Sequence, residues 1–202
     1  MKKYDLYELR VDEETIGMYT ISLVEEPAVL RKWLAFKKDE KPEPLKLSVQ
    51  DEEKHKILGV VLRADFPIYR YDDWGEYYIV FRKDEIEKIT RMFLLNGFQN
   101  AVNVDHNSDA YLSWEDIEIE QLFIKDEKLG INPAGFEDIP EGSLFALYKI
   151  KNDKLWEMIK EGKWNGFSME GYYKYIPAGE VGEEADKTTE EEWESFLESL
   201  TE

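Results

Sequence analysis

Residues 4–24 (YDLYELRVDEETIGMYTISLV) alternate apolar and polar side chains at Tyr4 and Leu6, and again at Tyr19, Ile21 and Leu23. A period of two places such positions on one face of a strand, so the segment predicts two half-buried strands broken near Glu14. It ends at Glu26-Pro27, where proline holds the preceding residue in extended geometry. Residues 57–64 (ILGVVLRA) and 77–82 (YYIVFR) are β-branched and apolar, which predicts two more strands joined by a long turn over 65–76. The period then lengthens. Ile86, Ile89, Met92 and Phe93 fall at helical spacing, with Asp84 as the predicted cap, Glu87 three residues on, and Asn96-Gly97 as the stop. AVNVDHN (101–107), DIEIEQLFI (116–124) and SLFALYKI (143–150) read as three further strands. Asn152 caps a short helix whose stripe is Leu155, Trp156 and Ile159, stopped by Gly162, and GFSMEGYYKYI (166–176) closes the body as a strand.

Two stretches break this pattern. Residues 37–56 (KKDEKPEPLKLSVQDEEKHK) are charged, carry two prolines, and predict a linker or exposed excursion. Beyond Pro177 the chain is acidic until Thr189, which with Glu192 forms a capping box; Trp193, Phe196, Leu197 and Leu200 then follow at i, i+3, i+4 and i+7. The expected organisation is a body over 1–176 and an acidic linker with an amphipathic helix over 177–202. Many strands with a few interspersed helices favour a β-barrel or α+β domain over a doubly wound sheet.

Composition narrows the function. The chain has 202 residues, 43% of them hydrophobic, enough for a sizeable core. Its 26 Lys and Arg face 45 Asp and Glu, a formal charge of −19 that repels phosphate backbones and anionic lipid. Nucleic acid and membrane are therefore not expected as partners. There is no cysteine, which excludes disulfides, Cys-ligated metals and a thiol nucleophile. The opening MKKYDLYELRVDEET lacks the apolar stretch of a signal peptide, and no run approaches the roughly 18 apolar residues of a membrane helix. A soluble intracellular protein is expected.

Only two histidines are present, His55 in the charged stretch and His106 in VNVDHNSD. His106 follows a strand, where loops begin and functional side chains are often held; the same run of turn formers also suits a plain surface turn. Counted from Asp105, oxygen-bearing residues fall at positions 1, 3, 5, 9 and 12 (Asp105, Asn107, Asp109, Ser113, Asp116), which resembles a calcium loop. Ala110 stands where that loop needs glycine, and Asp116 where it needs Glu, so a calcium module at 105–116 is the lesser alternative. Ser168 lies in Gly166-Phe167-Ser168-Met169-Glu170-Gly171, whose spacing departs from the nucleophile elbow G-x-S-x-G. A serine becomes a nucleophile when an imidazole takes its proton, and His106 is the candidate base. Asp105, Asp109 and Glu170 are the nearby carboxylates for a third role, Glu170 on the strand face of Ser168.

At ISLVEEPAV (21–29), GVVLRADFPIYR (59–70), EYYIVFRKDEI (76–86), VNVDHN (102–107) and LWEMIKEGKWNGFSMEGYY (155–173), the chain resembles the prohead, or capsid maturation, serine proteases of tailed phages. The likeness is to the XkdF-type branch, distantly related to the herpesvirus assembly protease. It implies an α+β fold built as a mainly antiparallel, closed β-barrel flanked by helices. It maps the nucleophile onto Ser168 and the base onto His106, and leaves the third residue open. No cofactor or metal is implied. The expected activity is endopeptidase cleavage of scaffold and major capsid proteins, inside the prohead in the host cytoplasm, with a homo-oligomer as one possible form. The principal alternative is an inactive structural or scaffold-like head protein with the same fold. The terminal helix suits either packing on its own domain or docking on a partner.

Overall fold

The computed structural model describes residues 3–25, 48–51 and 53–182. The amphipathic helix expected at 189–200 and most of the 37–56 stretch lie outside them. In chain order the strands are β1 (Lys3–Arg10), β2 (Gly17–Val24), β3 (Ser48–Asp51), β4 (Lys56–Leu62), β5 (Ile68–Asp72), β6 (Gly75–Val80), β7 (Val102–Val104), β8 (Ile117–Ile124), β9 (Leu144–Ile150), β10 (Gly166–Tyr172) and β11 (Lys174–Gly182). Two α-helices stand among them, α1 (Lys83–Leu95) and α2 (Asp153–Lys160). None of the described helices is long and apolar enough to cross a membrane.

The fold is α+β, but the expected closed barrel is not found. The described strands form three sheets, ordered β11-β1-β6-β5, β10-β2-β7 and β3-β4-β9-β8. The chain changes sheet between β1 and β2, and again at Tyr173 between β10 and β11, which interrupts the continuous ladder that closure needs. The pairing is mainly antiparallel, as expected, with β1–β6 and β2–β7 running parallel. The 65–76 segment is more than a turn, because β5 lies within it and pairs with β6. β3 pairs with β4 inside the charged 37–56 stretch, and β11 continues past Pro177 to Gly182 along β1.

The helix ends follow local chemistry in one case and not in the other. Asn152 caps α2 as the sequence predicts, its side chain accepting from the Lys154 and Leu155 amides. The N-cap of α1 is Arg82, with no side-chain cap, so Asp84 sits in the first turn, where its charge favours the positive end of the helix dipole.

The middle sheet carries the candidate chemistry, and its register is set by its apolar face. Ile21 and Leu23 of β2, Val102 of β7 and Phe167 of β10 all enter the main core. Full burial of Ile21 and Leu23 contributes roughly 1.5–3 kcal/mol each. A one-residue slip would turn both outward and bring Thr20 and Ser22 into the core. Apolar packing thus holds the polar residues of the opposite face in fixed positions.

Candidate active site

Across the middle sheet, Ser168 of β10 is paired with Ser22 of β2, and Ser22 with Asn103 of β7. Directly paired antiparallel residues have Cβ atoms about 4.5–5.5 Å apart, so the two serines are side by side. Two residues along β10, Glu170 pairs with Thr20. Thr20, Ser22 and Asn103 are fully buried and Ser168 is 4% exposed. Buried polar groups on this scale are costly unless they are hydrogen-bonded, so their partners define the site.

His106 reaches this row by an abrupt turn. Directly after β7, Asp105 and His106 both adopt left-handed backbone, with φ of 52° and 56°. Few residues other than glycine do so, although Asn, Asp and His are the most tolerant. The Asp105 amide donates to the Leu23 carbonyl at 2.9 Å, anchoring the corner to β2. The His106 side chain, 40% exposed, then lies with Nδ1 3.1 Å from Ser22 Oγ and 3.2 Å from Glu170 Oε1.

These contacts select the imidazole tautomer. Ser22 Oγ donates its proton to Glu170 Oε1 at 3.2 Å and presents a lone pair to the ring. Both neighbours of Nδ1 are therefore acceptors, and Nδ1 carries the proton. Nε2 is left with its lone pair, the form a general base requires.

Glu170 is the hub. Oε1 also accepts from Asn103 Nδ2 at 2.8 Å, and Oε2 accepts from the Tyr19 hydroxyl at 3.2 Å. Partial burial raises the carboxyl pKa, but the hydrogen bonds from Asn103, His106 and Ser22 outweigh it and hold the group below its ordinary value. Tyr19 is pushed up to about 12, by burial first and by the Glu170 charge next, so it remains a donor. Of the three carboxylates offered by the sequence, Glu170 is the one that touches the imidazole. Asp105 instead accepts from the Trp164 indole at 3.1 Å.

Ser168 and His106 share this site without a hydrogen bond between them, and Ser168 Oγ makes none to any described residue. A small, shallow depression beside Ser168 is lined by Val61, Leu62, Ile68, Phe81 and Arg70. Sequence reasoning missed Ser22, Asn103 and Tyr19. A signal existed for the first two: each is a polar residue interrupting an apolar strand, in Ile21-Ser22-Leu23 and Val102-Asn103-Val104. His55 is elsewhere engaged, its ring stacked on Trp156 at 4.6 Å between centroids.

Oxygens of the calcium reading are engaged in hydrogen bonds within turns. Asn107 Oδ1 accepts from the Asp109 amide at 2.9 Å, and Asp116 accepts from Ser113 and from Asn152 Nδ2, so these oxygens close separate turns. Among the described residues no group of three His, Cys, Asp or Glu side chains is placed to hold a metal ion.

Compared with known proteins, residues 45–177 match a family model described as "Putative phage serine protease XkdF". The match includes Asn103, His106, Ser168 and Glu170, while Tyr19 and Ser22 precede it. No curated protein and no solved structure matches the chain.

Proposed function

The chain belongs to the XkdF family of phage serine proteases, and from that premise we propose that it is a serine endopeptidase of prohead maturation in which Ser168 is the nucleophile, His106 the general base and Glu170 the carboxylate that orients the base. The substrates in this reading are the scaffold and major capsid proteins, met inside the prohead in the host cytoplasm. The observation that carries it is the contact of Glu170 with His106 Nδ1, because it prepares Nε2 for proton transfer.

In the reaction, Nε2 takes the Ser168 proton as Oγ attacks the peptide carbonyl. Glu170, kept ionised, stabilises the resulting imidazolium. Backbone N–H groups hold the oxyanion, the imidazolium returns its proton to the leaving amine, and water then releases the acyl-enzyme. The productive state needs Ser168 Oγ about 2.6–3.2 Å from Nε2; such bonds are often long before substrate binds and tighten with it. With no hydrogen-bond partner among the described residues, the Ser168 hydroxyl can make that turn.

Ser22 supports a second assignment, as its Oγ is the hydroxyl already bonded to the ring. Two features weigh against it as nucleophile: it is fully buried, and its proton is committed to Glu170. It serves the base better than the substrate. Labelling with a fluorophosphonate, followed by mass spectrometry of the modified peptide, decides. Modification at Ser168, and loss of scaffold and capsid cleavage in Ser168→Ala with assembly intact, supports the proposal. Cleavage by Ser168→Ala at the wild-type rate sinks it. An unlabelled wild-type protein that cleaves neither substrate points to the structural head protein.

A further inference from the structure

Asp105 stands beside the candidate base, yet its carboxylate turns away from it. Asp105 Oδ2 accepts from the indole N–H of Trp164, which is nearly buried in the main core and lies two residues before β10 begins at Gly166. Both ends of this bond hang from the end of β2. The Leu23 carbonyl takes the Asp105 amide at 2.9 Å, and the Val24 carbonyl takes the Asn165 amide at 2.9 Å. Asn165 Nδ2 further donates to the Gly162 carbonyl at 2.9 Å, which stiffens the approach to β10.

A closed frame results. β2 carries Ser22, the corner from β7 carries His106, the strand after Trp164 carries Ser168 and Glu170, and the indole–carboxylate bond spans the last two. The corner needs such a restraint, because two successive non-glycine residues in left-handed backbone have an extended alternative open to them. The Asp105 side chain is otherwise exposed and forms no other side-chain hydrogen bond among the described residues, so folding alone gives little reason for this carboxylate.

We propose that Trp164 and Asp105 are positioning residues, whose hydrogen bond holds the Asp105-His106 corner against the strand of Ser168 and so keeps His106 Nδ1 on Glu170. The proposal rests on His106 being the base, as argued above, but the placement of the ring can be read without any reaction. The test uses the full chain with ¹⁵N-labelled histidine. With only two histidines in the sequence, His55→Gln assigns the ring signals. Trp164→Phe removes the N–H while keeping the aromatic packing, and Asp105→Ala removes the acceptor without touching the core.

In wild type, the His106 ring nitrogens should show the Nδ1–H tautomer alone. In both variants they should move toward the average of the two tautomers. Fluorophosphonate labelling of Ser168 should slow by about 10- to 100-fold, the scale that a misplacement of about 1 Å costs. Asp105→Asn keeps an acceptor oxygen and tolerates the left-handed backbone, so it should restore the tautomer and most of the labelling rate. Unchanged ring signals in Asp105→Ala, with its melting temperature also unchanged, would overturn the proposal even if Trp164→Phe fails to fold. An unlabelled wild type, with the tautomer shift present in Asp105→Ala and Trp164→Phe and absent in Asp105→Asn, upholds the positioning and removes the protease reading.

Discussion

Glu170→Gln separates a catalytic hub from a structural one, because it keeps the shape and deletes the charge. In the native site Oε1 accepts from Asn103, Ser22 and His106, and Oε2 from Tyr19. A hydrogen bond to a charged group contributes about 1.5–3 kcal/mol, against 0.5–1.5 kcal/mol for a neutral one. Three donors on a neutral oxygen, with the side chain 24% exposed, predict a net loss of roughly 2 kcal/mol. For a chain of this length that lowers Tm by about 4–8 °C.

The sign of the pH dependence follows from the depressed carboxyl pKa. The carboxylate's contribution is complete above the ordinary Glu value of about 4.3 and is lost as pH falls through the lower, folded value. Urea unfolding of wild type and Glu170→Gln should thus differ at pH 7 and converge under acid conditions. Labelling of Ser168 should fall by about 10²–10⁴, since an amide does not stabilise imidazolium. A stability gap that stays constant from pH 7 into the acid range would refute the ionised hub. Undiminished labelling would refute its role in the reaction.

Ser168→Ala should leave the urea midpoint unchanged, as its hydroxyl bonds to no described residue, and abolish labelling; Ser22→Ala should cost about 1 kcal/mol and only slow it. The reverse pattern would exchange the two serines. Lys125 is 2% exposed, its ammonium donating to the carbonyls of Phe136, Glu137 and Ile139 at 3.1, 3.1 and 2.6 Å. Lys125→Met should destabilise by about 2–4 kcal/mol and speed amide exchange first in residues 133–142, since unpaired buried carbonyls cost about 1–3 kcal/mol each while the buried charge is relieved. Exchange that rises evenly through the fold would refute this local role. Gly142 has φ of +87°, and an added Cβ would lie 2.5 Å from Lys83 Cβ, so Gly142→Ala should lower stability by about 1–3 kcal/mol in urea unfolding.

Much of this was legible in the sequence, and the exceptions have identifiable causes. Strands β1, β2, β4, β6, β8, β9 and β10 appear where apolar periodicity predicts them, because burial of one face dictates both the period and the strand. Asn152 and Gly97 mark helix ends by chemistry that acts within a few residues. β5 escaped because Tyr69, Arg70 and Tyr71 are only partly buried or exposed and carry little alternation. The barrel did not appear because closure depends on which edges pair, and no local pattern encodes that. The site shows the same division. His106, Ser168 and Glu170 were visible as residue types in suggestive settings. The contact of His106 with Ser22 was not, since it depends on the register of β2 against β7 and on two left-handed residues that fold the corner back.

The same register bears on why this face is polar at all. A three-stranded sheet whose one face buries Ile21, Leu23, Val102 and Phe167 would gain by burying apolar side chains on the other as well. Instead it buries Thr20, Ser22, Asn103 and Ser168 and adds Glu170. Satisfied polar networks can hold a fold in one arrangement, but here satisfaction is incomplete: Asn103 Oδ1 is buried without a partner, because the amide turns its nitrogen to Glu170. Orienting Asn103 that way leaves an acceptor unmet and strengthens the carboxylate, a choice that favours the charge on Glu170 over stability. Ser168 Oγ likewise has no hydrogen-bond partner among the described residues, one strand away from the candidate base. Folding would be served as well by Val or Ala at Ser168, whereas an apolar residue at Asn103 would take a charge-assisted hydrogen bond from Glu170. In the proposed function Asn103 helps to keep Glu170 ionised, so Asn103→Leu should cost about 1.5–3 kcal/mol in urea unfolding at pH 7, with the loss shrinking under acid conditions, and should slow labelling of Ser168. A stability loss that stays constant from pH 7 into the acid range, with labelling of Ser168 unchanged, would return Asn103 to a purely structural role.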